Sequence, residues 1–218
     1  MKSKILGLLA VGLLAGPMAA DAAIIGDPNN NNCIPFTCGI TNSFQQVYAG
    51  TAFGNSLLIG ALSFYGAIDG AGVATAMRDG TFSIWLSTTT DPLLGLTGVP
   101  GADEALVFSG LAPTGTASSG LFAVQFDFLL SSSFFYDPAT MGNLLMRVVY
   151  SGADAVSYGQ LAADNTATVT SRYIFGGNGV GALVTGFNEA VAVPEPTTLA
   201  LLGLGLLGIG LRRRIKAS

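Results

Sequence analysis

The chain has 218 residues, contains no histidine and carries a formal net charge of -4 at pH 7. Because imidazole is absent, a Ser-His-Asp triad, a Cys-His pair and histidine metal sites are excluded. Residues 23–193 contain three arginines, no lysine and eleven acidic residues. We therefore expect no nucleic-acid partner, since phosphate backbones are bound by basic patches. Without lysine, Schiff-base chemistry and a Ser-Lys pair are also excluded in this segment.

The first 22 residues have the organisation of a secretory signal peptide. Lys2 and Lys4 precede an eleven-residue apolar core from 5 to 15, and Ala20 and Ala22 frame a small-x-small cleavage pattern. An eleven-residue core is too short to span a bilayer as a helix. We predict export through the Sec translocon and cleavage by signal peptidase after Ala22.

Residues 23–55 have the composition of an Asn-rich N-terminal arm. Four asparagines come directly before Cys33, and Cys38 follows five positions later. In an oxidising compartment these cysteines are expected to form a disulfide loop, worth about 2 kcal/mol in the loop-entropy model. Two thiolates without histidine or a second cysteine pair do not complete a zinc shell. We predict a structural disulfide and no metal site.

Residues 56–193 are predicted to form an antiparallel β-sandwich of the jelly-roll or Ig-like kind. Apolar residues alternate with a period of two, most clearly from Leu121 to Leu130, as in half-buried strands. Turn-rich pieces separate such segments, and no long segment carries a helical stripe, so the expected class is all-β. The predicted strands are Ser56–Tyr65, Thr81–Thr88, Leu106–Ser109, Leu121–Leu130, Leu144–Ser151, Thr166–Phe175 and Leu183–Val193.

Trp85 is the one tryptophan of the chain. Phe82, Ile84 and Leu86 share one face of their strand, which places Trp85 on the other. An outward-facing tryptophan can stack on a sugar ring, so a carbohydrate-binding module is one hypothesis for the sandwich. A Trp85 covered by a loop, or in a strand buried on both faces, is the alternative.

Carboxylates are the remaining candidates for catalysis. Paired acids hydrolyse glycosides when they are held about 5 to 10 Å apart. The neighbouring pair in this sequence, Asp103 and Glu104, lies in a predicted loop, where adjacent side chains normally diverge. We therefore predict no catalytic residue and no cofactor, and a carboxylate-based glycosidase is the least favoured hypothesis.

Residues 194–218 combine a stiff tripeptide, an apolar run and a basic end. In lipid the run from 197 to 211 would form a single transmembrane helix, and the basic cluster would stay in the cytosol by the positive-inside rule. At fifteen residues the run is roughly 22 Å long, short for a hydrocarbon core of about 30 Å, so it suits a permanent anchor poorly. The tripeptide is Pro194, Glu195 and Pro196, and the basic cluster is Arg212, Arg213 and Arg214.

This tail resembles the PEP-CTERM sorting signal of Gram-negative bacteria in the order of its tripeptide, Gly- and Leu-rich span and arginine cluster. The resemblance implies recognition by an exosortase, a membrane-embedded cysteine peptidase or transpeptidase of exopolysaccharide-producing bacteria, which cuts near the Pro-Glu-Pro. The chain is then the substrate, held in the inner membrane before delivery to the cell surface or extracellular matrix. A non-enzymatic structural or adhesive role in an exopolysaccharide biofilm is the leading expectation, ahead of carbohydrate binding.

Overall fold

The computed structural model describes residues 22–39, 43–67, 72–118, 122–152 and 157–188. In these ranges the chain forms fourteen strands and a 3-10 turn, Gly50–Ala52. None of these ranges contains a helix that is long and apolar enough to cross a membrane. The strands are β1 Ala23–Ile25, β2 Asn30–Asn32, β3 Phe44–Tyr48, β4 Leu57–Tyr65, β5 Thr81–Thr89, β6 Ala105–Leu111, β7 Thr116–Ala117, β8 Val124–Tyr136, β9 Asn143–Ser151, β10 Leu161–Asp164, β11 Thr170–Ile174, β12 Gly177–Gly179, β13 Ala182–Leu183 and β14 Thr185–Phe187. The predicted sorting tail and residues 1–21 of the predicted signal peptide lie outside the described residues.

The strands build three antiparallel sheets. The six-stranded sheet has the order β12-β11-β3-β9-β5-β6, the five-stranded sheet β1-β14-β4-β8-β7, and the small sheet β13-β10-β2. The prediction of an all-β fold with antiparallel sheets is confirmed. The finer jelly-roll or Ig-like assignment stays a prediction.

The two larger sheets share one hydrophobic core. On β5 the side chains of Phe82, Ile84 and Leu86 are fully buried, so the predicted inward face is confirmed. The ring of Tyr48 on β3 lies edge-on against Phe187 on β14, with centroids 5.0 Å apart, which joins the six-stranded sheet to the five-stranded one. Such edge-to-face pairs add to the free energy gained by burying the rings.

The segment predicted as an arm ahead of the sandwich lies largely inside it. All five residues of β3 are buried, and β3 pairs with β11 on one side and β9 on the other. The amide of Gln46 donates to the carbonyl of Leu183 at 2.7 Å and accepts from the Leu183 N–H at 2.8 Å. The Tyr48 hydroxyl lies 2.8 Å from Oγ1 of Thr185, and burial raises the pKa of Tyr48 above its ordinary value. These partners satisfy polar groups that would be costly to bury unpaired.

The predicted disulfide between Cys33 and Cys38 is confirmed. It closes a turn in which the N–H groups of Thr37 and Cys38 donate to the Cys33 carbonyl. Phe36 projects from this turn into the core and is fully buried. Its ring centroid lies 4.5, 5.2 and 5.3 Å from those of Phe64, Phe128 and Phe82, so one side chain contacts both large sheets.

Arg78 fixes this disulfide loop from the other side. Its side chain is almost fully buried and donates to the backbone carbonyls of Pro35, Cys38 and Gly39. The guanidinium carbon lies 3.5 Å from the centroid of the Tyr150 ring, a cation–π contact. Backbone carbonyls and a ring face therefore surround a charge that is costly to bury without partners.

Replacing Phe36 with alanine is expected to lower the free energy of unfolding by about 3 to 5 kcal/mol, because it leaves a cavity between both sheets. Denaturant unfolding of the folded domain measures the change. Phe175→Ala is the matched control: Phe175 is 78% exposed, so its loss should change stability by no more than about 0.5 kcal/mol. Equal effects of the two substitutions would contradict the anchoring role of Phe36.

Candidate functional site

The outer face of the six-stranded sheet carries a stack of Trp85, Arg147 and Glu104. Trp85 on β5 lies directly opposite Arg147 on β9, and the guanidinium carbon is 3.9 Å from the centroid of the indole ring. Arg147 also donates from Nε and a terminal nitrogen to the two carboxylate oxygens of Glu104, at 2.7 and 2.8 Å. Both members of this ion pair keep 21% of their side-chain surface exposed.

This geometry bears on Trp85 as a sugar-stacking residue. The side chain lies on the outer face, as its strand pattern indicates, and is half-buried. A planar guanidinium covers one face of the ring, which a sugar would otherwise use. The stack therefore provides a contact that holds the sheet surface together, and it leaves less of the ring for a ligand.

Glu104 ends a segment that crosses the outer face, residues 90–104, here called the covering loop. Leu96 of this loop packs with Val47 and Leu145 in a small hydrophobic cluster of its own. The loop is also held by the side-chain amide of Gln45, which donates to the Gly98 carbonyl at 2.9 Å. Gly98 has a φ of +80° and approaches the Tyr173 ring so closely that an added Cβ would lie 2.9 Å from it, so glycine is favoured there.

Asp103 and Glu104, the neighbouring acids considered for catalysis, make separate structural contacts. Asp103 accepts hydrogen bonds from the backbone N–H and the hydroxyl of Thr88, each at 2.8 Å, whereas Glu104 binds Arg147. Both acids join the covering loop to neighbouring strands. Within the described ranges, no three His, Cys, Asp or Glu residues lie close enough together to hold a metal ion.

A cleft of about 320 Å³ opens between the covering loop and the end of β5. The carboxylate in its lining is Asp91, whose Oδ2 accepts from the N–H and the hydroxyl of Thr97, each at 2.9 Å. Four threonines and several apolar or small residues form the rest of the lining. The lining residues are Thr88, Thr89, Thr90, Asp91, Thr97, Val99, Pro100, Gly101 and Met141.

The processing residues predicted from the sequence fall at the margins of the described chain. Ala22 is described, and it borders a small groove with Ala23, Phe53 and Leu57. The remaining processing residues, which are Ala20, Pro194, Glu195, Pro196, Arg212, Arg213 and Arg214, lie outside the described residues.

Comparison with known proteins identifies the tail. A family model for the PEP-CTERM protein-sorting motif matches residues 192–214, which include the Pro-Glu-Pro tripeptide and the three arginines. The match covers the tail and not the sandwich. No curated protein and no solved structure matches the chain.

Replacing Arg147 with methionine is expected to shift the fluorescence emission of Trp85 to longer wavelength and to cost about 1 kcal/mol of stability. The substitution removes the cation from the ring and leaves Glu104 without this partner. Because Trp85 is the one tryptophan, the emission reports on the stack directly. Arg172→Met, at an arginine of β11 in the same sheet, should leave the emission unchanged, and an unchanged spectrum for Arg147→Met would contradict the stacked geometry.

Proposed function

We propose that this PEP-CTERM protein is an exported component of the cell surface or extracellular matrix with a structural or adhesive role, processed by an exosortase. The observation that carries the proposal is the match of residues 192–214 to the sorting motif. Its host is a Gram-negative, exopolysaccharide-producing bacterium. The apolar run from 197 to 211 holds the chain in the inner membrane until the exosortase cuts near Pro194–Pro196.

Two features of the sandwich support a structural role. The turn between Cys33 and Cys38 is closed by a disulfide, which suits an oxidising compartment outside the cytosol. The acids that were candidates for catalysis are engaged in contacts that hold the covering loop, Asp103 with Thr88 and Glu104 with Arg147. A domain whose neighbouring acids are engaged in its own contacts fits a surface component better than a glycosidase.

Carbohydrate binding is the second candidate, and the cleft lined by threonines favours it. Hydroxyl side chains together with Asp91 and the apolar surfaces of Val99 and Pro100 suit a polar ligand that carries many hydroxyl groups. The Arg147 guanidinium on the indole ring makes this cleft a better candidate than Trp85.

Calorimetry with the host exopolysaccharide tests carbohydrate binding at the cleft. Thr97→Val should weaken saturable binding, whereas Trp85→Phe should leave it unchanged. Absence of binding by the unmodified protein would remove this candidate.

Intact mass spectrometry of the surface protein is expected to give a chain that begins at Ala23 and ends near Pro194–Pro196. Glu195→Ala should raise the fraction of full-length chain, because it alters the tripeptide of the sorting motif. Glu189→Ala makes the same change outside the matched residues and should be processed normally. A surface protein that retains its C-terminal arginines in cells with active exosortase would contradict the proposal.

A further inference from the structure

Both ends of the described chain leave the sandwich side by side. Ala23 at the start of β1 lies opposite Phe187 at the end of β14, in an antiparallel pair. The N–H of Asn188 donates to the carbonyl of Ala61 on β4 at 3.0 Å, so Asn188 continues the line of β14. The predicted signal peptide and the sorting tail therefore attach to neighbouring strands at the same end of the five-stranded sheet.

An exposed apolar patch, formed by Leu58, Leu129 and Phe135, lies at this end on the outer face. Leu58 on β4 and Phe135 on β8 are directly opposite each other and are each 57% exposed. Leu129 is 63% exposed and lies opposite Ala61, three positions along β4 from Leu58 and past an irregularity in the register. The neighbours of Leu58 and Phe135 in sequence point into the core, which leaves these two side chains facing outward.

Asn188 connects the patch to the tail. Its side-chain amide donates to the Leu58 carbonyl at 2.9 Å, and its Oδ1 accepts from the N–H of Gly60 at 2.7 Å. Nine residue steps lead from Asn188 to Thr197, where the apolar run begins. At full extension these steps reach about 30 Å. The segment between Asn188 and Thr197 is therefore a short tether, which keeps the patch within about that distance of the surface that holds the apolar run.

We propose that the Leu58–Leu129–Phe135 patch lies against the lipid bilayer while the tail is inserted, and that this contact orients the Pro-Glu-Pro tripeptide for cleavage. The inference rests on the membrane topology given under the proposed function. Three apolar side chains bind an interface weakly when free, but a short tether raises their effective concentration at the surface. Cleavage of the tail removes the tether, so the patch then releases from the lipid.

Quenching by brominated lipids tests the contact in the full chain. In a Trp85→Phe background, Phe135→Trp places the one tryptophan in the patch, and Phe175→Trp places it at an exposed phenylalanine in the turn between β11 and β12 of the other sheet. Both proteins are reconstituted in vesicles of phosphatidylethanolamine and phosphatidylglycerol with brominated or ordinary acyl chains. We expect brominated lipid to reduce the emission of the Phe135→Trp protein and to leave the Phe175→Trp protein unchanged.

The outcomes separate this inference from the proposed function. If the chain floats with the vesicles but bromine quenches neither tryptophan, or both equally, the patch contact is wrong and the anchored topology stands. A chain that does not float contradicts the topology and, with it, the contact.

Charge substitutions in cells give a second test without the tryptophan probes. Phe135→Glu places a carboxylate at an exposed position of the patch, and we expect slower appearance of the shortened chain. Phe175→Glu adds the same charge on the other sheet and should leave the processing rate unchanged. Equal processing of the two variants would overturn the orienting role of the patch.

Discussion

The insertion of Phe36 between the two large sheets is the contact on which the rest of the sandwich depends. Its ring contacts phenylalanines of β4, β5 and β8. The same turn reaches the segment before β10, because the Thr37 hydroxyl donates to the Gly159 carbonyl at 2.7 Å and the Tyr158 N–H donates to the Thr37 carbonyl at 2.8 Å. The disulfide and Arg78 hold in place a turn that joins all three sheets, so a short covalent loop stabilises long-range packing as well as its own closure.

The covering loop determines the structure of the outer face of the six-stranded sheet. It converts part of a sheet face into a second small core around Leu96, and its end is held by the ion pair of Glu104 with Arg147. The indole of Trp85 belongs to this arrangement, since the guanidinium lies between the loop carboxylate and the ring. Beside the loop lies the cleft that is lined in part by threonines.

Alternating hydrophobicity located four strands closely, and it missed β3, where polar side chains are buried. β4, β5, β6 and β9 lie within two residues of their predicted limits, because each carries an alternating set of apolar side chains that faces the core. β3 escaped prediction because its two glutamines are buried, Gln45 under the covering loop and Gln46 against Leu183. The alternation of residues along β5 predicted that Trp85 faces outward. It could not predict that Arg147 is its partner, because the two residues are 62 positions apart in sequence and meet only through the pairing of β5 with β9. The sorting motif is one contiguous stretch of sequence, so it could be recognised without knowledge of the fold.

The position of β14 between β1 and β4 has a consequence for the timing of folding during export. In a chain that crosses the membrane N-terminus first, β1 and β4 emerge early but have no shared neighbour until residues 185–187 follow. The five-stranded sheet stays open until then, with two unpaired edges of the kind that invite wrong pairing. The apolar run starts nine residues after Asn188, so in the proposed topology translocation would halt just after the last missing strand is delivered. Under that topology, membrane insertion and closure of the sheet would be nearly simultaneous steps, and a cut that follows them would release a completed fold.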